Sequence, residues 1–181
     1  MPTQAGNELI SANVFELVDL QAGMHVGDLG CGNLGYFTFP AAKIVGNSGV
    51  VYAVDILKSV LDAVVNKATQ EGFSNVKTVW SNLEKVGATD IQTATLDLTM
   101  LHNMLFQSDR DDLVLQETYR LTKIGGKAMV IDWLKIATPF GPPAGDRTDP
   151  AEIKRFAEAA GFTLTQEFNA GPYHYGLLFT K

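Results

Sequence analysis

The sequence predicts an α/β fold, in which helices cover both faces of a doubly wound, mostly parallel seven-stranded sheet with an antiparallel C-terminal strand. Two observations lead to this prediction. Apolar, β-branched runs alternate along the chain with segments of helical spacing. The last two such runs are joined by the short turn sequence "NAGP", which favours a hairpin over a helical crossover.

The predicted helices share apolar residues at three- and four-residue intervals, and one of them ends at a glycine. They are Glu8–Leu20, Gly35–Ile44, Lys58–Gly72, Asp111–Leu121 and Pro150–Ala160. We expect residues 1–22 to form a helical entry to a single domain that spans residues 1–181.

The predicted strands are rich in valine, isoleucine and aromatic residues, and "GVVYAVDI" is typical of a buried parallel strand. They are Met24–Leu29, Gly49–Ile56, Val76–Trp80, Thr93–Leu101, Lys127–Leu134, Phe162–Phe168 and Tyr173–Thr180.

The charge and residue composition disfavour several classes of protein, among them nucleic-acid-binding, membrane-spanning and metal-binding proteins. The net charge of −6 disfavours nucleic acid as a partner, because an acidic chain is repelled by phosphate backbones. No apolar run approaches the ~20 residues of a membrane span, and no secretory signal is visible. A single cysteine excludes an internal disulfide and fits a cytoplasmic location.

The three histidines are not spaced like the ligands of a metal ion, so we expect no metal site. We expect the protein to be a monomer or a homodimer.

Several polar segments follow predicted strands directly, and the carboxyl ends of parallel strands meet at one edge of a sheet. These segments are Asp28–Gly35, Asp55, Ser81–Leu83, His102–Asn103 and Asp132–Trp133. We therefore expect them to converge on one ligand site, although they are far apart in the sequence.

The stretch "VGDLGCGNLGYFT" carries three glycines in the spacing G-x-G-x-x-G. Such a loop lets the backbone approach a ligand closely, ahead of the positive N-terminal end of a helix. Alone it suits a dinucleotide such as NAD, suits S-adenosylmethionine equally, and also fits a glycine-rich turn with no ligand.

Other features favour S-adenosylmethionine. Asp28 precedes the first glycine, and a carboxylate there suits a cationic sulfonium ligand better than an anionic pyrophosphate. A helix precedes the first strand, whereas dinucleotide folds usually start at the glycine-rich strand. We also expect the sheet to end in an antiparallel hairpin, without a second substrate domain of the dinucleotide-binding type.

Several motifs in order resemble the class I S-adenosylmethionine-dependent methyltransferases, which have a Rossmann-like fold. "VGDLGCG" resembles their motif I, "VVYAVD" their post-I motif, and "LDLTMLHNMLF" their motif IV. The chain is most similar to the small-molecule branch that includes the ubiquinone/menaquinone-biosynthesis and arsenite methyltransferases. The resemblance covers roughly Glu8 to Lys181. One departure is that Asn33 and Leu34 precede the third glycine, where the family usually has one residue.

The resemblance implies roles for residues at the first two strand ends. Asp28 would approach the amino group of the cofactor, or would instead cap the loop. Asp55 would bind the ribose hydroxyls, or would cap the next helix. Ile56 would pack on the adenine, or would belong to the core.

The resemblance also implies that the Asn82 side chain hydrogen-bonds the adenine amino group. The alternative is that Asn82 is an ordinary turn residue with no contact to a ligand. The full cofactor-binding set that it implies is Asp28, Gly30, Cys31, Gly32, Asp55, Ile56, Asn82, Leu83 and His102.

His102 ends the fourth strand, beside the expected position of the transferable methyl group. It could serve as a general base, or it could merely line the pocket. Asn103, Trp133, Tyr173 and His174 are candidates for the substrate pocket, with hydrophobic packing as the alternative.

The sequence thus predicts an S-adenosylmethionine-dependent methyltransferase that acts on a small or medium-sized molecule. The alternatives are an NAD-dependent oxidoreductase and a non-catalytic nucleotide-binding module. Motif IV lacks the "N/D-P-P-Y/F" element of branches that methylate amino groups of nucleic acids and proteins. The single cysteine cannot form the multi-thiol site of an arsenite methyltransferase. The loop Ala137–Thr148 is expected to cover the substrate space.

Overall fold

The computed structural model describes residues 10, 13–32, 34–139 and 141–181. Five α-helices lie in this part of the chain, and each precedes a strand, whereas β3 is followed directly by β4 and β6 by β7. They are α1 Val14–Leu17, α2 Thr38–Val45, α3 Lys58–Glu71, α4 Asp111–Leu121 and α5 Pro150–Ala160. Short 3-10 turns follow β4 and β5, at Leu105–Gln107 and Ala144–Asp146.

Seven strands form one sheet in the order β3-β2-β1-β4-β5-β7-β6. They are β1 His25–Leu29, β2 Val50–Asp55, β3 Val76–Trp80, β4 Leu96–His102, β5 Thr122–Trp133, β6 Thr163–Asn169 and β7 His174–Thr180. All neighbouring pairs are parallel except those of β7, which runs antiparallel to both β5 and β6. The predicted α/β, doubly wound, mostly parallel seven-stranded sheet is therefore confirmed.

The strand order reverses direction at β1, which has β2 on one side and β4 on the other. A crevice opens at such a switch point, outside the carboxyl ends of the strands, and ligands of open α/β sheets bind there. The loops after β1, β2 and β4 all meet at this point.

Two hydrophobic layers enclose the sheet. Helices α4 and α5 pack on one face, with Leu115 and Ile153 fully buried. The other face carries α1 and α2, through Val14 and Ala41, and α3 through Val64. Strand residues alternate between these layers, so residues two apart on one strand share a face.

The start of α2 differs from the prediction. The helix begins at Thr38 and not at Gly35, because Gly35 has a φ of +52° and its N–H closes a turn on the carbonyl of Gly32 at 3.2 Å. A residue with positive φ cannot belong to a right-handed helix. The longer glycine spacing is thus absorbed by an extra turn before the helix.

Two strand boundaries differ from the prediction by three residues or more. Strand β4 begins at Leu96 and not at Thr93, because Ala94 has a φ of +57° and breaks the extended run. Strand β5 begins at Thr122 and not at Lys127, because Thr122 pairs with Leu96 ahead of a bulge. Both differences arise from pairing between distant segments.

The predicted helix Glu8–Leu20 falls partly outside the described residues. Within them, α1 ends at Leu17, and Asp19 has a φ of +53° that ends the helical run. A search of the described helices found none long and apolar enough to cross a membrane.

Candidate active site

The glycine loop begins where β1 ends and is anchored to β2. The N–H groups of Gly30 and Cys31 both donate to the carbonyl of Val54, at 2.8 and 3.0 Å. Gly30 has a φ of +80°, and a Cβ atom there would meet Met104 at 3.0 Å. Glycine is therefore required at this position both by the backbone and by the close approach of the loop after β4.

Asp55, the last residue of β2, joins two loops through its carboxylate. Its Oδ2 accepts a hydrogen bond from the N–H of Gly32 at 3.2 Å, and its Oδ1 accepts one from the N–H of Leu57 at 3.0 Å. The contact with Leu57 is an Asx-type turn ahead of α3, whose N-cap is Leu57 and has no side-chain cap, so Asp55 does not take the alternative helix-capping role. Each carboxylate oxygen can accept a further hydrogen bond, so this turn and ribose binding are compatible.

Asp28 lies beneath the loop, 2% exposed, on the same face of β1 as Val26. Its Oδ2 accepts a hydrogen bond from the Thr38 hydroxyl at 2.5 Å, which fixes the first turn of α2. Burial, together with the charge of the nearby Asp55 carboxylate and against the Thr38 hydrogen bond, raises the pKa of Asp28 to about 7. A cationic ligand group placed nearby would favour its ionised form.

Cys31 does not offer a reactive thiol. Its side chain is buried with Phe39 and Ala53, and burial raises the pKa of the thiol far above its ordinary value. Its contribution to the loop is therefore its backbone N–H.

An exposed apolar surface adjoins Asp55. Ile56 is 52% exposed and Leu57 is also exposed, although both are large apolar residues. Trp80, at the end of β3, is 54% exposed and donates from its indole N–H to the carbonyl of Ile56 at 2.8 Å. Trp80 was not among the site residues predicted from the sequence, although it ends the predicted strand Val76–Trp80 at the same edge of the sheet as Asp55.

The segment after β3 contains the other predicted adenine residues. The Oδ1 of Asn82 accepts a hydrogen bond from the N–H of Glu84 at 2.9 Å, as in an Asx turn. Its side-chain amide NH₂ is not used in that bond. Leu83 packs its side chain into the core with Val54, so its side chain is not part of an exposed binding surface.

His102 ends β4 and lies on the α2 face of the sheet. Its ring stacks on Phe37 with a centroid distance of 3.8 Å. Burial, with a smaller contribution from the nearby His174, lowers the pKa of His102 to about 3. The next residue, Asn103, has a φ of +49° and donates its N–H to the carbonyl of Ile131, so the chain turns sharply at the carboxyl edge.

Trp133 and His174 face each other across β5 and β7, on the same face as His102. The two residues are paired in the antiparallel register, and their rings are tilted at a centroid distance of 4.3 Å. Burial lowers the pKa of His174 to about 4, and the charge of Arg147 adds to this effect. Tyr173 is half-buried, and its carbonyl accepts the N–H of Leu134 at 2.7 Å.

Arg147 holds together the loop after β5. Its guanidinium donates to the carbonyls of Pro142, Leu134 and Ile136 at 2.8–2.9 Å and to the hydroxyl of Thr138. It also lies 5.1 Å from the ring centroid of Trp133. The loop is therefore fastened over the aromatic residues of β5, a role for Arg147 that sequence reasoning missed.

Asp132 supports the site from the opposite face of β5. Its Oδ2 accepts the N–H of Leu105 at 3.1 Å and its Oδ1 accepts the N–H of Trp133 at 2.7 Å. Burial raises the pKa of Asp132 to about 7. The carboxyl group ties the turn after β4 to the end of β5.

The structure thus brings the predicted residues together at the carboxyl edge, in two groups. One surrounds the glycine loop and Asp55, and the other is the aromatic and imidazole group of β4, β5 and β7. Asp97 lies at the other end of the sheet, where it accepts the N–H of His25 and pairs with Lys123, as a structural role predicts. Among the described residues, no cluster of histidine, cysteine and carboxylate groups could hold a metal ion.

The glycine loop, Asp55 and the apolar surface beside it together have the features needed to bind the cofactor of one class of protein. Two positive-φ glycines shape an open loop, the neighbouring carboxylate has unused acceptor capacity, and an exposed apolar surface adjoins it. Together with a seven-stranded sheet that ends in an antiparallel strand, this defines a class I S-adenosylmethionine-dependent methyltransferase.

Comparison with known proteins confirms the class. A family model described as a methyltransferase domain matches residues 20–155, and the chain belongs to this family. The crystal structure of a SAM-dependent methyltransferase from Aquifex aeolicus superposes with a TM-score of 0.87 and 25% identity, covering 98% of this chain and 93% of that one. The predicted family, the class I S-adenosylmethionine-dependent methyltransferases, and the predicted cofactor are therefore confirmed.

Two curated relatives are small-molecule methyltransferases by name, and the first of them belongs to the predicted ubiquinone/menaquinone-biosynthesis branch. The ubiquinone/menaquinone biosynthesis C-methyltransferase UbiE of Hydrogenovibrio crunogenus is 32% identical over 77% of this chain and 54% of its own length. The aklanonic acid methyltransferase DauC of Streptomyces is 30% identical over 76% of this chain and 63% of its own length. The chain thus spans about half the length of the first relative.

Proposed function

We propose that this chain transfers a methyl group from S-adenosylmethionine to a small or medium-sized organic molecule. The main support for the proposal is the hydrogen bond from the Gly32 N–H to the Asp55 carboxylate, which joins the glycine loop to the end of β2. An exposed apolar surface lies beside this carboxylate. A carboxylate at this position suits ribose hydroxyls, and the apolar surface suits an adenine ring. The bound cofactor would supply an electrophilic methyl group on a sulfonium.

Each cofactor-side residue has a distinct proposed role. Asp55 would accept hydrogen bonds from the ribose hydroxyls, and Ile56 would pack on the adenine. Asn82 would hydrogen-bond the adenine amino group. Gly30 and Gly32 would expose backbone groups to the methionine tail, and the charge of Asp28 would favour its ammonium group.

The acceptor side consists of His102, Asn103, Trp133, Tyr173 and His174. Methyl transfer is an in-line displacement, for which alignment and exclusion of water supply most of the rate. The lowered pKa of His102 makes its imidazole a weak base. We therefore assign His102 to positioning of the acceptor rather than to removal of its proton.

The names of the relatives support a small-molecule acceptor. One name refers to ubiquinone/menaquinone biosynthesis and the other to aklanonic acid. We extend only the general class, a small organic acceptor, to this chain. The single-domain organisation, the cytoplasmic location and the monomeric or homodimeric state stay predictions.

Methyl transfer from labelled cofactor tests the proposal. Purified protein is incubated with methyl-labelled S-adenosylmethionine and a pool of small metabolites, and the product is separated from the cofactor. We expect a labelled product that is absent with the Asp55→Ala variant. Tight binding of the cofactor with no labelled product from any pool would instead favour a non-catalytic binding module.

A further inference from the structure

The connection from β3 to β4, residues 81–95, is described in full by the structure and forms neither helix nor strand. Connections of this length without regular structure are uncommon in compact domains, and an ordered one is usually functional. Asn82, the proposed partner of the adenine amino group, lies near its start. The outer part, residues 85–88, is exposed, so apolar packing does little to fix its position. Polar contacts must hold the connection in place.

An ion pair on α4 supplies these contacts. Glu117 and Arg120 lie three residues apart on the helix, where side chains are neighbours. The Arg120 guanidinium donates from Nε and Nη2 to the two carboxylate oxygens, at 2.8 Å each. Glu117 is fully buried and Arg120 is half-buried. A bidentate pair of this kind has a fixed geometry, so it is a rigid support for other groups.

The pair directs its remaining hydrogen bonds to the backbone of the connection. The Glu117 carboxylate accepts the N–H groups of Gly87 and Thr89, at 2.7 and 3.1 Å. Arg120 donates to the carbonyls of Thr89 and Ile91, at 2.9 and 3.2 Å. Because these partners are backbone groups, the pair fixes the path of the chain and not only the side chains along it.

These hydrogen bonds also keep Glu117 ionised. Burial alone would raise the pKa of its carboxyl group, but hydrogen bonds from Arg120, Gly87 and Thr89 lower that pKa to about 2. An ionised carboxylate only accepts hydrogen bonds, so each oxygen suits one donor from the guanidinium and one from the backbone. A glutamine in its place would turn an NH₂ group toward donors.

Two hydroxyl groups connect the pair to the adenine side of the site. The hydroxyl of Thr89 lies 2.9 Å from the hydroxyl of Ser81, and both side chains are buried. Ser81 donates its N–H to the carbonyl of Asp55 at 3.1 Å and directly precedes Asn82. A chain of hydrogen bonds therefore runs from Glu117 to the residue beside Asn82.

The course of the connection also decides which end of the Asn82 amide faces a ligand. Its Oδ1 accepts the N–H of Glu84 at 2.9 Å, and a flipped amide would turn its NH₂ group against that donor. The Glu84 carboxylate in turn accepts the hydroxyl of Ser108 and the N–H of Asp109, ahead of α4. An asparagine that flips freely pairs with adenine or hypoxanthine, whereas a fixed one distinguishes the two bases.

We propose that Glu117 and Arg120 are positioning residues, which set the preference for the adenine base of the cofactor by fixing the connection that carries Asn82. This inference rests on the proposed function and adds two residues of α4 that act through Asn82. Apolar residues of similar size often replace a buried ion pair without loss of stability. They would offer no directed partners to the backbone of the connection, so the pair serves position more than stability.

Calorimetry with S-adenosylhomocysteine and S-inosylhomocysteine tests the proposal, because the second ligand carries an oxygen in place of the adenine amino group. The wild type should bind S-adenosylhomocysteine at least about tenfold more tightly, as one well-made hydrogen bond predicts. Glu117→Gln keeps the shape of the side chain but not its acceptors, and should lower this preference by about three- to tenfold. Arg120→Lys keeps the charge and should lower it less.

An ion pair of α5 provides the matched control. Glu152 and Arg155 have the same spacing on their helix, but both are exposed and their charged atoms lie 3.5 Å apart. Glu152→Gln should therefore keep the wild-type preference. In Glu117→Gln, but not in Glu152→Gln, hydrogen exchange should become faster at the amides of Gly87 and Thr89.

Two further variants separate positioning from a general loss of stability. Thr89→Val keeps the N–H that Glu117 accepts, removes the hydroxyl link to Ser81, and should also lower the preference. In an Asn82→Ala background, Glu117→Gln should change the preference no further, because Glu117 acts through Asn82. A merely structural role would weaken both ligands equally and leave the preference unchanged.

A wild-type preference retained in Glu117→Gln overturns the proposal. If Glu117→Gln does not fold, the same result in both Arg120→Lys and Thr89→Val overturns it. A wild type that binds both ligands equally well also overturns it, since no preference would then exist to be set. A wild type that binds neither ligand contradicts the proposed function and, with it, this inference.

Discussion

The backbone N–H of Gly32 donates a hydrogen bond to the Oδ2 atom of Asp55 at 3.2 Å. This contact joins residues from two neighbouring strand ends, and the second oxygen of the same carboxylate accepts the N–H of Leu57, in the turn that precedes α3. One side chain therefore fixes the glycine loop and stands beside the proposed ribose position.

Asp55→Ala should weaken binding of S-adenosylhomocysteine by about 10- to 150-fold. Hydrogen bonds to a charged group contribute about 1.5–3 kcal/mol, and the variant also loosens the loop. Isothermal titration calorimetry measures the effect. Asp62→Ala, an exposed carboxylate on α3, is the matched control and should bind like the wild type. Unchanged affinity of Asp55→Ala for S-adenosylhomocysteine would contradict the proposal that Asp55 binds the ribose hydroxyls.

Gly30→Ala should lower both stability and cofactor affinity. A non-glycine residue at positive φ costs about 1–2 kcal/mol, and the new Cβ atom would press on Met104 at 3.0 Å. Gly72→Ala is the control, because Gly72 has a similar φ of +76° with nothing within 4 Å of an added Cβ atom. Both variants should lose unfolding free energy in denaturant titrations. A Gly30→Ala variant that binds S-adenosylhomocysteine as tightly as Gly72→Ala would contradict the loop assignment.

Asp28 should make cofactor binding depend on pH. Because its pKa is raised to about 7, the carboxyl group is mostly protonated at pH 6 and mostly ionised at pH 8. The ligand ammonium group favours the ionised form, so affinity for S-adenosylhomocysteine should rise by about tenfold over this range. Asp28→Asn should flatten the profile, whereas the exposed control Asp90→Asn should not. A wild-type profile as flat as that of Asp28→Asn would leave Asp28 with a structural role only.

The same residue predicts a change in stability with the opposite trend. A carboxyl group whose pKa is raised on folding stabilises the folded state below its unfolded pKa, and this contribution is lost as pH rises toward 7. Asp28→Asn keeps an oxygen that can accept the Thr38 hydroxyl. The fall in unfolding free energy between about pH 4 and 7 should therefore be smaller in this variant than in the wild type.

Elements with local signals could be predicted from the sequence. The bounds of α5 were predicted correctly because its start and end carry their own signals: Asp149 accepts the N–H of Ala151, Pro150 opens the helix, and Gly161 follows it with a φ of +114°. The bounds of β3 were also predicted, from a short β-branched run between turns. The starts of α2 and β5 were not, because they depend on a left-handed glycine and on pairing with a distant strand.

The site could be predicted only as a set of positions. Because parallel strands share an edge, the sequence indicated that Asp28, Asp55 and His102 would converge, and they do. It could not indicate that His102 and His174 would be buried without partners, because that depends on which rings pack against them. Arg147 was missed for the same reason, since its contacts are carbonyls that no side-chain pattern reveals.

Arg147→Lys should loosen the loop after β5 without changing cofactor affinity. A lysine cannot reproduce the several directed N–H donors of a guanidinium, so the carbonyls of Leu134 and Ile136 would lose partners. Limited proteolysis should cut this loop faster in the variant, while Arg155→Lys, an exposed control on α5, should be cut like the wild type. Equal cutting of all three proteins would contradict the fastening role.

The central claim, that the loop and Asp55 bind S-adenosylmethionine, is tested most directly by calorimetry with S-adenosylhomocysteine and with NADH on the same protein. We expect saturable, stoichiometric binding of S-adenosylhomocysteine and no detectable binding of NADH. Tight binding of NADH with no binding of S-adenosylhomocysteine would contradict it.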